Sequence, residues 1–113
     1  MKTRTDKSVR PQRGSTNVYA DLGNKSADEM LVKAQLVATI AEILAERGYT
    51  QTKAAQLLGI PQPKLSKMLR GQFRGFSEHK LMDCLTLLGR DVEIMVRTVA
   101  KRKGPGAVSV SFA

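Results

Sequence analysis

The sequence predicts a small all-α domain followed by a short C-terminal β extension. Three observations carry that expectation. Apolar residues recur at helical spacing in three stretches, roughly Ala27–Arg47, Thr50–Gly71 and Ser77–Leu88. The middle stretch, TQTKAAQLLGIPQPKLSKMLRG, holds two short helical patterns hinged at Gly59. After Asp91 the period changes to two, with Val92, Ile94 and Val96 alternating with Glu93, Met95 and Arg97. At 113 residues the chain holds one small domain with flanks. The divisions read as a basic arm over 1–17, a helical domain over 18–90 and a strand or hairpin over 91–113.

Residues 1–17 carry Lys2, Arg4, Lys7, Arg10 and Arg13 against Asp6, with almost no large apolar groups. Such a segment buries too little surface to offset chain entropy, so it is expected to be disordered. It reads either as a minor-groove or phosphate arm or as a plain solubilising tail. Tyr19 and Leu22 are spaced to pack one turn against a larger core, with Gly23 ending that turn. A full helix is then expected from Ala27 to Arg47. Ser26 would be its N-cap and Glu29 would complete a capping box. Leu36, Val37, Ile40, Ile43 and Leu44 form its apolar stripe, and Gly48 follows as a natural C′ residue.

In the hinged stretch, Thr50 can cap the first helix by accepting from a first-turn amide. Ala54, Ala55, Leu57 and Leu58 give it an inward stripe. Gly59 then supplies a left-handed residue that ends it cheaply. Ile60 turns into the core. The second helix begins near Pro61 or Gln62 and buries Leu65, Met68 and Leu69. Two helices joined so tightly meet at a steep angle, the helix-turn-helix arrangement. Charge points the same way. Between Arg47 and Ser77 there is no Asp or Glu, while Lys53, Lys64, Lys67, Arg70 and Arg74 lie inside. A solvated face normally mixes signs, and a face of one sign suits a polyanion.

Beyond Gly71, Phe73 and Phe76 anchor a loop, and Ser77 caps a helix to Leu88 with Leu81, Cys84, Leu85 and Leu88 inward. His79 and Cys84 sit five apart and face different ways, so they read as a surface imidazole and an inert buried thiol. Lys101 to Gly106 is a turn or linker, and Val108, Val110 and Phe112 alternate again. That pattern fits a hairpin or a single strand to Val99 followed by a disordered tail.

A net charge of +9 favours nucleic acid or an anionic surface as partner. No run of about 18 apolar residues spans a membrane. The basic N-terminus lacks the apolar core of a secretory signal, so a cytoplasmic protein is expected. A single cysteine gives neither a disulfide framework nor a zinc site. Two Tyr, three Phe and no Trp weaken base-stacking modes of RNA or single-strand binding. No Walker loop or dinucleotide fingerprint is present, and no paired carboxylates sit in a pocket-like apolar context. No cofactor, metal or enzymatic activity is expected.

The set Gln51, Ala55, Gly59, Ile60, Leu65 and Met68 resembles the helix-turn-helix of the lambda-repressor and Cro-like (XRE) family. Tyr19 to Gly23, the hinged stretch and FSEHKLMDCLTLLGRDVEIMVR together are similar to HigA-like antitoxins, over roughly residues 18–98. The resemblance implies a five-helix DNA-binding domain that acts as a homodimer on a pseudo-palindromic operator. It also implies a toxin partner, usually an endoribonuclease, and a repressor of its own operon. Gln51 matches the family glutamine that bonds a phosphate. Gln62, Ser66 and Lys67 match base-reading positions, and Arg70 and Arg74 match phosphate contacts. Pro63 departs from the pattern, standing where the family often has a polar base reader. Proline is tolerated in a first turn, so that position offers only apolar contact. The other readings are a stand-alone or phage-derived repressor of the same type and a basic protein-interaction module.

Overall fold

A computed structural model of the chain describes residues 18–101 and 103–113, with side chains from residue 26 onward; the basic arm of 1–17 lies outside the described residues. Four helices appear among them: α1 (Val18–Glu46), α2 (Gln51–Leu58), α3 (Gln62–Leu69) and α4 (Glu78–Leu87). The five helices and the β extension expected from the sequence are therefore corrected. Helix α1 is continuous from Val18 through Glu46. Gly23 does not end a turn and Ser26 is no N-cap. Both stand inside the helix. One glycine within a helix costs about 1 kcal/mol relative to alanine, and breaking there would demand a second costly nucleus. Asn24, Lys25 and Ser26 are all tolerated in a helix interior, so the continuous form wins.

The chain divides into two compact units, Met1–Leu31 with Ala107–Ser109, and Val32–Gly106 with Val110–Ala113. In the first, the described residues are the opening of α1 and a short stretch without helix or strand. In the second lies the core. Val32, Leu36, Val37, Ile40, Ile43 and Leu44 of α1 are buried at i, i+3 and i+4 spacing. They join Ala54, Ala55 and Leu58 of α2, Leu65 and Met68 of α3, and Leu81, Cys84 and Leu85 of α4 in one cluster, with Ile60, Phe76 and Leu88. Helix α2 packs against both α3 and α4. Two residues expected inside differ. Leu57 is 39 % exposed, because its offset of about 100° from Leu58 carries it off the stripe of so short a helix. Leu69 is only half-buried against the cluster.

Helix ends are closed by backbone bonds. The Gly48 N–H donates to Ala45 O and the Tyr49 N–H to Leu44 O, each at 3.1 Å. Tyr49 packs half-buried on the core, as its position after Gly48 suggests. At the end of α4 the Arg90 N–H donates to Leu85 O at 3.0 Å. The Arg47 Nη2 reaches Leu88 O at 2.6 Å. This arginine ties the end of α1 to the negative end of α4, where a cation is favoured.

Residues 90–99 have neither helix nor strand pairing, and all are exposed. The alternation over residues 107–112 does not produce a hairpin either: among the described residues no strand forms. A strand exists only as part of a ladder, and alternation without a neighbouring edge leaves the segment unpaired. Val110 alone of this stretch packs, half-buried, against the core cluster.

Candidate nucleic-acid interface

The surface around α2 and α3 is built from its caps outward. The Thr50 hydroxyl accepts from the Lys53 N–H at 3.1 Å, which sets the start of α2 and leaves Gln51 exposed in its first turn. At the other end Gly59 has φ 67°, and the Ile60 N–H donates to Ala55 O at 3.1 Å. This reverses the chain within one residue and drives Ile60 into the core. Helix α3 starts straight after Pro61, whose φ of −55° suits a helix entry. The Leu65 N–H donates to Pro61 O at 3.0 Å. Pro63 sits in the first turn, where its missing amide removes no helical bond.

Leu65 and Met68 are fully buried, so α3 is fixed in rotation about its own axis. Gln62, Pro63, Lys64, Lys67 and Arg70 are consequently exposed, and Ser66 is half-buried. Pro63, Lys67 and Arg70 lie at i, i+4 and i+7, on one face. The helix closes with the Gln72 N–H donating to Lys67 O at 2.9 Å and the Gly71 N–H to Met68 O at 3.1 Å. Arg74 is exposed in the following loop. Lys33 of α1 donates from Nζ to the Arg74 carbonyl at 3.0 Å, and Phe76 buries beneath the same loop.

Two of the cations rest on aromatic rings. Lys53 Nζ lies 5.1 Å from the centroid of Tyr49, and Lys64 Nζ lies 5.8 Å from that of Phe76, both within the range of a cation–π contact. The rings thus hold these ammonium groups near the surface without neutralising them. Lys64 also borders an open cleft of about 360 Å³ with Ile60, Pro61, Phe76 and Lys80. Lys80 is a cation that the sequence reading does not single out. Its position three residues after the Ser77 cap, which accepts from its N–H at 3.0 Å, is the feature that places it there.

His79 and Cys84 do not come together as a nucleophile and base. The exposed His79 lies 3.5 Å from Asp83 through Nε2. Cys84 is fully buried, and burial pushes its thiol pKa up; Lys80 pulls it down and Asp83 adds to the rise. A neutral, buried thiol is a packing group. Among the described residues no helix is long and apolar enough to cross a membrane.

Comparison with known proteins agrees with this geometry. A family model described as a helix-turn-helix domain matches residues 18–97. A solved structure whose name describes it as a candidate XRE-family transcriptional regulator is similar at 33 % identity and a TM-score of 0.71. The match covers 78 % of this chain and 99 % of that one. No curated protein matches the chain. Regulators of this kind act by binding rather than catalysis, in keeping with the expectation of no enzymatic activity. The chain belongs to the XRE-type helix-turn-helix family of DNA-binding transcriptional regulators.

Proposed function

We propose that the protein is a repressor that binds a pseudo-palindromic operator as a homodimer and serves as the antitoxin of a toxin–antitoxin pair, repressing its own operon. The observation that carries the operator reading is the outer face of α3. Pro63, Lys67 and Arg70 point outward there, with Gln62 exposed beside them and Lys64 exposed on the flank, and no carboxylate occurs in the sequence from Arg47 to Ser77. Recognition helices put their N-terminal residues against base edges in the major groove. Gln62 pairs bidentately with adenine N6/N7, and Lys67 donates to guanine O6/N7. Ser66 adds a hydroxyl on the flank, and Pro63 offers apolar contact. Gln51, Lys53, Lys64, Arg70 and Arg74 hold phosphates and fix the register. In this division residues 18–90 carry the DNA contact and 91–113 the dimer contact.

The two groups of residues fail differently. Gln62→Ala or Lys67→Ala costs about 1 to 3 kcal/mol on the operator and relaxes preference at one position per half-site. Arg70→Ala or Arg74→Ala weakens all duplexes alike and lowers the salt slope by about one. Binding to operator and scrambled duplexes at several salt concentrations measures both. Equal weakening of the two duplexes by Gln62→Ala removes α3 as the reader.

The antitoxin reading is supported by the resemblance of the three stretches named above to HigA-like proteins. Co-expression with the product of the adjacent reading frame tests it. A stable complex that relieves growth arrest supports an antitoxin. A neighbour that neither binds nor arrests growth leaves a stand-alone repressor.

A further inference from the structure

Among the described residues outside the helices, exposed large apolar side chains are densest from Asp91 to Val99, where Val92, Ile94, Met95, Val96 and Val99 all meet solvent. Ile94 is 76 %, Met95 81 % and Val96 92 % exposed. The backbone of this run takes part in no helix or strand pairing. Unpaired amides and carbonyls beside bare β-branched side chains make a template for another strand. The order of residues states which strand fits.

In an antiparallel pair, directly opposite residues point to the same face. When the two strands are copies related by a two-fold axis, the residue on the axis faces itself. With Met95 on the axis, Glu93 faces Arg97 of the second copy, and Arg97 faces its Glu93. On the other face Ile94 meets Val96, and Val92 meets Thr98. Every charge from Val92 to Thr98 then has an opposite partner, and the β-branched apolar residues share one face. Placing Ile94 on the axis instead keeps Val92 opposite Val96 and sets Asp91 against Arg97, but it leaves Glu93 against a methionine with no opposite charge. An axis between the two residues sets Glu93 against Val96 and mixes the faces. The axis between residues is thus penalised on both faces, and the shift to Ile94 on the charged face alone, where it strands Glu93 beside the axis. With Met95 on the axis the acid left over is Asp91, at the end of the ribbon.

We propose that residues 91–99 pair with the same segment of a second copy as an antiparallel two-stranded ribbon about a two-fold axis through Met95, held in register by two Glu93–Arg97 ion pairs. The proposal rests on the homodimer of the preceding section and adds the surface and register through which it forms.

Charge reversal on the full-length chain tests it, with the dimer dissociation constant read by sedimentation equilibrium. Glu93→Arg and Arg97→Glu each turn two attractions into two repulsions and raise the dissociation constant about tenfold or more. The double variant Glu93→Arg/Arg97→Glu restores it to near the wild-type value. With Ile94 on the axis, the double variant would instead set Asp91 against a new glutamate and would not recover. A wild-type dimer that the single variants leave unchanged, or that the double variant fails to restore, overturns the register while the homodimer stands. A wild-type chain that is monomeric at tens of micromolar removes the homodimer reading itself.

Discussion

The α2–α3 pair and residues 91–99 both carry apolar side chains at regular intervals, yet the fold treats them oppositely. Leu58, Leu65 and Met68 are fully buried, or nearly so, whereas Ile94, Met95 and Val96 stand in solvent. The difference lies in what each stretch has beside it. Gly59 turns α2 back so that α3 packs against it, and α1 and α4 complete the core around both. A helix satisfies its backbone bonds internally and needs a neighbour only for its apolar face. A strand needs a neighbour for its backbone as well. Regular spacing marks which side chains seek cover, and topology decides which of them obtain it within one chain.

The contrast breaks most forcefully from the buried side. Leu65→Ala, at a fully buried position of α3, lowers stability by about 2 to 5 kcal/mol, through lost transfer energy and the cavity left behind. Chemical denaturation with a constant m-value measures it. A loss below about 1 kcal/mol would show that α3 is not held by its inner face.

The hinge gives a smaller effect. A Cβ at Gly59 meets nothing within 4 Å, so only its φ of 67° resists a side chain. Gly59→Ala therefore costs about 1 kcal/mol, with no steric addition. An unchanged melting temperature would mean that the turn tolerates an ordinary residue and that the pairing of α2 with α3 does not depend on it.

The exposed segment gives the smallest effect on the folded monomer. Val96→Ala removes a side chain that touches little in one chain, and changes its stability by less than about 0.5 kcal/mol. The measurement belongs at a concentration below dimer dissociation, where linkage to association adds nothing. A larger loss there would place Val96 in the monomer's own packing and end the contrast with Leu65.

Much of this protein follows from the sequence by itself. The hinge at Gly59, the caps at Thr50 and Ser77 and the inward faces of α1, α3 and α4 depend on interactions a few residues apart, so local spacing and turn chemistry suffice to read them. The absence of carboxylates from Arg47 to Ser77 is likewise visible without coordinates. Tertiary structure decided the rest. It kept Gly23 and Ser26 inside α1, because stop and start signals are weak beside the cost of a second nucleus. It carried Leu57 to the surface, since a two-turn helix buries a stripe narrower than its apolar content. It committed Arg47 to the end of α4 rather than leaving it for phosphate, and it laid Lys53 and Lys64 over aromatic rings. It also left residues 91–99 without a ladder, because a strand's partner is a long-range fact that alternation within the strand does not specify.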